Sequence, residues 1–280
     1  MRQQPCQGPS DAARRRRPNF RMDQKMPRRS KIRTRLPASL QLTAELVTKS
    51  LRVVEEQGPE PNWTPISTTQ LDQLVSRVEE EAGDEEIWVF AYGSLMWNPG
   101  FDYAASEDAV AYGWHRAFSL RIERLRATSD APGLMLALQP GGSCSGLVLK
   151  LPCATKKQDL RTLLAREIRY VEVCDMVRWV PVKTPSGPRR ALTFWASPKQ
   201  SPLTEKVPLD EAALLIAQAC GPAGSCAEYL HRTVSDLADR KIYDRNLWQL
   251  QKLVAARLQA MTVKSRSSTD VGRPLPVNRA

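Results

Sequence analysis

The stretch that decides the reading runs from Trp88 to Trp97, WVFAYGSLMW. Its first half, apolar and aromatic, predicts a buried strand over 87–92. The run then breaks at Gly93-Ser94 and resumes with Leu95, Met96 and Trp97. Glycine has no Cβ, so backbone N–H groups there can approach a ligand closely, and a serine hydroxyl both donates and accepts. A loop of this kind can hold a carboxylate or a carbonyl oxygen. The same residues also close ordinary tight turns, and at this point both readings stand.

Beyond this stretch the sequence predicts strands near 112–122, 133–139, 145–151, 176–183 and 190–197, bounded by the turn-forming NPG, APG, PGGS and PSGP. A helical insertion over 156–169 interrupts them. Upstream, Leu42, Leu46, Val47, Leu51 and Val54 recur at helical spacing behind a possible Ser39 cap, until the prolines of GPEPNWTPIS end the pattern. Leu71, Leu74, Val75 and Val78 stripe a second helix over 68–82. Downstream, apolar stripes over 209–220, 224–239 and 244–262 predict three more helices, separated by GPAGS and KIYD. The whole reads as one α+β domain with a strand-rich centre and helices at both ends. Residues 1–36 form a basic tail, 37–262 the folded domain, and 263–280 a polar, proline-containing tail; both tails are expected to be disordered.

The net charge of +11 resembles a nucleic-acid signature until it is located. Residues 1–36 hold twelve Lys and Arg against two Asp, which leaves about +1 on the other 244 residues. The basicity therefore belongs to the tail, and a nucleic-acid partner for the folded body is not expected. No apolar run reaches the length of a bilayer, and the N-terminus has no signal-peptide core, so the expected address is the cytoplasm, away from membranes. None of the six cysteines forms a CxxC pair, and His115 and His231 lie far apart, so no metal is expected and the thiols read as free and mostly buried.

A second chemical candidate lies in LRTLLAREIRY, residues 160–170. The stripe Leu160, Leu163, Leu164 and Ile168 turns one helix face to the core, and Glu167 falls on that face near the helix end. A carboxylate among apolar neighbours has a raised pKa and can shuttle a proton. The alternative is a partly exposed glutamate paired with Arg166. GGSCSG (141–146) matches a nucleophile elbow only loosely, and His115 reads as a residue packed within a strand pair.

In combination these pieces resemble the ChaC-like γ-glutamylcyclotransferase family. The resemblance rests on IWVFAYGSLMW, GWHRAFSLR, PGLMLAL, GGSCSG, LLAREI, RWVPVKT, GSCAEYL and DRNLWQL, and spans residues 87–262. It implies a small mixed β-barrel-like core with peripheral helices, and cleavage of glutathione, the small-molecule partner, into 5-oxoproline and cysteinylglycine without a cofactor. It further implies that Tyr92, Gly93, Ser94 and Leu95 hold the γ-glutamyl group and that Glu167 carries the proton. The sequence departs from the family after Glu167, where IRYVEVCD replaces a glycine turn, and after Trp195, where PKQSPLTEK replaces an Asn-Pro segment. Two other readings follow from these departures and from the tail: a catalytically weak γ-glutamyl-binding protein of the same fold, and a nucleic-acid-associated protein using its arginines.

Overall fold

The computed structural model describes residues 40–60, 63–196 and 207–269, with side chains up to 261. The basic tail, the PKQSPLTEK departure and residues 270–280 lie outside the described residues.

Five strands close a barrel in the order β1-β3-β2-β4-β5: β1 Trp88–Ala91, β2 Ala105–Ile122, β3 Gly133–Lys150, β4 Val177–Thr184 and β5 Gly187–Phe194. β1 lies antiparallel to β3, with Trp88 opposite Lys150, and meets β5 in parallel at Val89 and Leu192, which shuts the cylinder. Every β1 side chain is buried because both faces of the strand are covered. Trp88 and Phe90 join Ala109, Val148, Val180, Val182 and Ala191 in a cluster to which all five strands contribute and no helix does; it fills the barrel. Val89 and Ala91 face the opposite way, into a larger core shared with the helices.

β2 and β3 are longer than the sequence predicts, 18 residues each, and they pair along almost their whole length. PGGS does not separate two strands as expected. β3 runs through it, with Gly141 and Gly142 at φ of 105° and 72° absorbing a bend near a register shift between Tyr112 and Trp114.

The helices are α1 Ala44–Thr48, α2 Thr68–Ala82, α3 Ser94–Trp97, α4 Lys156–Glu167, α5 Leu209–Gln218, α6 Cys226–Asp239 and α7 Arg245–Thr269, with a short 3-10 turn at Val171–Met176 and a two-stranded β6–β7 hairpin, Cys220–Gly221 with Gly224–Ser225. α2 matches its expected span because two signals agree: the buried stripe Leu71, Leu74, Val75 and Val78, and a capping box between Ser67 and Gln70. Arg161–Asp72 at 2.8 Å and Lys157–Glu79 at 3.6 Å tie it to α4. α7 continues past its expected end at 262, to Thr269.

The first helix departs most from expectation. It starts behind Thr43 rather than Ser39 and stops at Thr48. Leu51 is exposed and Val54 only half-buried, so neither extends its stripe. The Ser50 hydroxyl lies 2.7 Å from the Val47 carbonyl and 2.8 Å from the hydroxyl of Ser225, the cap of α6. That anchorage pulls the chain off the helical path, and residues 51–60 and 63–64 continue without helix or strand. Gln251 of α7 secures the preceding residues, accepting the Gln41 and Leu42 N–H groups at 2.8 Å each.

Candidate active site

β1 delivers Tyr92, Gly93 and Ser94 to the wall of a cavity of about 520 Å3. Gly93 caps α3, and its own carbonyl accepts the Met96 N–H at 2.9 Å. A Cβ on Gly93 would lie 3.1 Å from both the Tyr229 hydroxyl and Leu136 Cδ2, closer than these side chains ordinarily tolerate. Any larger residue here would make both side chains give way by a few tenths of an ångström, so glycine suits this close approach. The Tyr92 hydroxyl donates to the Phe194 carbonyl at 2.8 Å, and its pKa is held well above the usual value by burial, then by neighbouring Tyr229 and Glu167. Leu95 also lines the cavity, but at 6% exposure it is mainly a core residue.

Glu167 ends α4 on the same cavity. The buried stripe Leu160, Leu163, Leu164 and Ile168 fixes that helix against the core, as expected, and aims Glu167 inward. The glutamate is ion-paired and desolvated at once. Arg166 Nε lies 3.2 Å from its carboxylate, and burial still pushes the pKa up against the arginine's opposing charge. Its side chain keeps 24% of its surface, so the carboxylate is desolvated by cavity walls and remains reachable from within. Arg166 also donates to the carbonyls of Asn98 at 2.7 Å and Pro99 at 3.0 Å, joining the end of α4 to the chain that leaves α3.

Three participants are not apparent from the sequence. Tyr229, on α6, stands edge-on to Trp97 and Phe118, each at 5.9 Å. Burial dominates the lowering influence of nearby Ser94 and pushes its pKa to about 12, so it keeps its proton at neutral pH. In sequence it looks like one more member of an amphipathic stripe. Arg116, with 1% of its side chain exposed, donates to the Tyr92 carbonyl at 2.7 Å and lies 3.4 Å from Asp244. Asp244 in turn accepts the Asn246 and Leu247 N–H groups that start α7. The third is the segment after α1, which places Glu60 and Trp63 on the cavity wall against Tyr170.

Among the described residues, no group of three or more His, Cys, Asp or Glu is arranged to hold a metal ion, and no helix is long and apolar enough to cross a membrane. His115 lies in β2 opposite Gln139, its Nδ1 3.0 Å from the Gly141 carbonyl, and takes no part in this cavity. GGSCSG is barrel strand, with Cys144 buried. Cys220 and Cys226 are also buried and unpaired, whereas Cys153 is exposed.

A sequence profile of ChaC-like proteins matches residues 87–257, from β1 into α7. The chain belongs to the ChaC-like family. Among its ChaC-like relatives, a glutathione-specific γ-glutamylcyclotransferase of Escherichia coli is 36% identical over 162 residues, covering 58% of this chain and 69% of that one. γ-Glutamylcyclotransferase 2-3 of Arabidopsis thaliana is 29% identical over 179 residues, covering 60% and 88%. The crystal structure of a yeast γ-glutamyl cyclotransferase specific to glutathione superposes with a TM-score of 0.54 at 21% identity, covering 60% of this chain and 95% of that one; this similarity concerns the fold. The ChaC-like match begins after Glu60 and Trp63, so that part of the cavity wall is supplied from outside the matched region.

Proposed function

We propose that the protein cyclises the γ-glutamyl group of glutathione, releasing 5-oxoproline and cysteinylglycine; relatives named glutathione-specific γ-glutamylcyclotransferases support the reading. The observation that carries this reading is a carboxylate with a raised pKa, Glu167, opening onto the same cavity as the Tyr92–Leu95 loop. In this reading the family's γ-glutamyl-binding residues are Tyr92, Gly93, Ser94 and Leu95, and Glu167 is the catalytic residue. The assignment carries a cytoplasmic location, where a reduced glutathione pool is maintained.

The reaction needs no external nucleophile. The substrate's α-ammonium gives a proton to the Glu167 carboxylate, and the freed amine attacks the γ-carbonyl carbon. A five-membered ring forms, with negative charge on the former carbonyl oxygen. As the tetrahedral centre collapses, the bond to the cysteinyl nitrogen breaks, Glu167 returns its proton to that nitrogen, and the remaining extra proton of the ring nitrogen follows to the same amine, leaving a neutral lactam and an ammonium. Glu167 thus acts first as base and then as acid, which a carboxylate of raised pKa does well near neutrality. The loop and the cavity walls fold the flexible γ-glutamyl chain so that amine and carbonyl meet.

The Tyr229 hydroxyl lies on the cavity wall beside Gly93 and keeps its proton, so it can donate toward the developing oxyanion. Tyr229→Phe should lower kcat about 100-fold with little change in KM, read from initial rates of 5-oxoproline release. A wild-type rate would remove Tyr229 from the chemistry. The reading as a whole is tested by incubating the purified protein with glutathione and quantifying both products. Equimolar 5-oxoproline and cysteinylglycine support it. Binding without product would instead identify a γ-glutamyl-binding protein of the same fold.

A further inference from the structure

Six arginines line the cavity: Arg121, Arg124, Arg126, Arg166, Arg169 and Arg232. Four of them already face carboxylates. Arg121 lies 3.8 Å from Glu123, Arg126 and Arg232 share Glu228 at 2.8 and 2.9 Å, and Arg166 holds Glu167. Arg169 lies at the exposed rim. Arg124 differs from all of these. Its Nη1 donates to the Glu123 carbonyl and the Ser129 hydroxyl, both at 2.8 Å, while its Nε is buried without an acceptor. Among the described residues, no carboxylate lies within ion-pair distance of it.

The backbone around Arg124 is held in an unusual conformation. Leu125 has a φ of 64°, a left-handed value that a branched side chain rarely adopts, and its carbonyl is fixed by the Ala223 N–H at 2.9 Å. Arg124 and Arg126, on either side of this residue, both reach the cavity wall. Glu60 is on that wall too, its backbone N–H bonded to the Tyr170 hydroxyl at 2.9 Å and Trp63 edge-on to the same ring at 5.3 Å. The Glu60 carboxyl feels the positive charge of Arg124 without forming an ion pair with it.

A glutathione molecule has one negative group not needed at the reacting end. Its terminal carboxylate lies two residues beyond the γ-carbonyl, at most about 7 Å further along the chain. Resting on the reaction proposed above, we propose that Arg124 receives the terminal carboxylate of the departing peptide, with Glu60 opposing a second negative charge nearby. The cavity would then select γ-glutamyl peptides that end in a free carboxylate over the same peptides ending in an amide. The selecting arginine lies within the matched region, and the opposing glutamate lies outside it.

The test compares glutathione with its C-terminal amide in the full-length protein and in Arg124→Gln, Arg124→Lys and Glu60→Gln. Wild type should favour the free acid in kcat/KM by about tenfold or more, the scale of one charge-assisted hydrogen bond. Arg124→Gln should abolish that preference by raising KM for the free acid, Arg124→Lys should restore part of it, and Glu60→Gln should lower KM for the free acid. Equal use of acid and amide by wild type would overturn the inference, as would an Arg124→Gln loss that falls equally on both or a Glu60→Gln rise in KM. If neither substrate is turned over, the proposed reaction fails. Calorimetric titration of the Glu167→Gln protein then decides the subsite on its own: tighter binding of the acid supports it and equal binding overturns it.

Discussion

Glu167→Gln should reduce 5-oxoproline release by at least about 1000-fold while leaving the affinity for glutathione within a few-fold of wild type. The amide preserves the size of the side chain and much of its hydrogen bonding, but it can neither take a proton from the substrate ammonium nor return one to the leaving nitrogen. Initial rates and calorimetric titration separate the two quantities. Substantial activity in this variant would assign the proton to another group. In the wild type, kcat/KM should fall on acidification through a pKa above the ordinary carboxylate value of 4.5, because burial outweighs Arg166 at this site.

The same shift has a consequence for stability. The folded protein holds the Glu167 proton more tightly than the unfolded chain does, so this group's contribution is fully present below pH 4.5 and is lost as pH rises through the folded pKa. Above that value the ionised carboxylate is a net cost. Glu167→Gln should therefore melt at a higher temperature than wild type at pH 8, with the gap narrowing toward pH 4. A variant that is less stable at pH 8 would contradict this. The expected outcome is an inactive protein that is also the more stable one, as when function maintains a strained group.

Arg116→Met should be the more damaging change to the fold. The guanidinium joins the Tyr92 carbonyl, at the start of the glycine loop, to Asp244, the residue that caps α7. Methionine keeps the bulk but leaves a backbone acceptor unsatisfied and Asp244 without its counter-charge. Removing one partner of a buried pair costs about 3–5 kcal/mol, and because Asp244 retains 22% of its side-chain surface the lower end is expected, about 3 kcal/mol by urea unfolding. Turnover of the remaining folded protein should fall roughly tenfold as the loop loses its anchor, with Arg116→Lys recovering part of both losses. An unchanged urea midpoint would show that this bridge contributes nothing.

The features legible in the sequence are those carried by local pattern. WVFAYGSLMW announces a buried strand and its break because its apolar run and its glycine are adjacent. α2 is read to its ends from its apolar stripe, and the structure adds a capping box at its start. Glu167 is found because its place on the stripe Leu160–Ile168 aims it at the core. The misses arise where a distant contact overrides that pattern. Leu51 and Val54 continue a helical period, but Ser50 is held by Ser225, 175 residues away in sequence, and the helix ends. Pro140 and two glycines spell a turn, yet continuous pairing with β2 makes them a bend within one strand. Tyr229 and Arg116 come beside the Tyr92–Ser94 loop only because the fold brings them there from distant parts of the chain. The proline-rich sequence around Glu60 and Trp63 carries a usable signal, a tryptophan among helix-breaking residues.

The central claim is that the substrate's own amine, not water, breaks the γ-glutamyl bond, and an isotope experiment in H2(18)O tests it most directly. With glutathione labelled by 15N at the α-amine, the product should be 5-oxoproline containing 15N in its ring and no 18O. Glutamate carrying 18O in its side-chain carboxylate would mean that water is the nucleophile, and would contradict the account at its root.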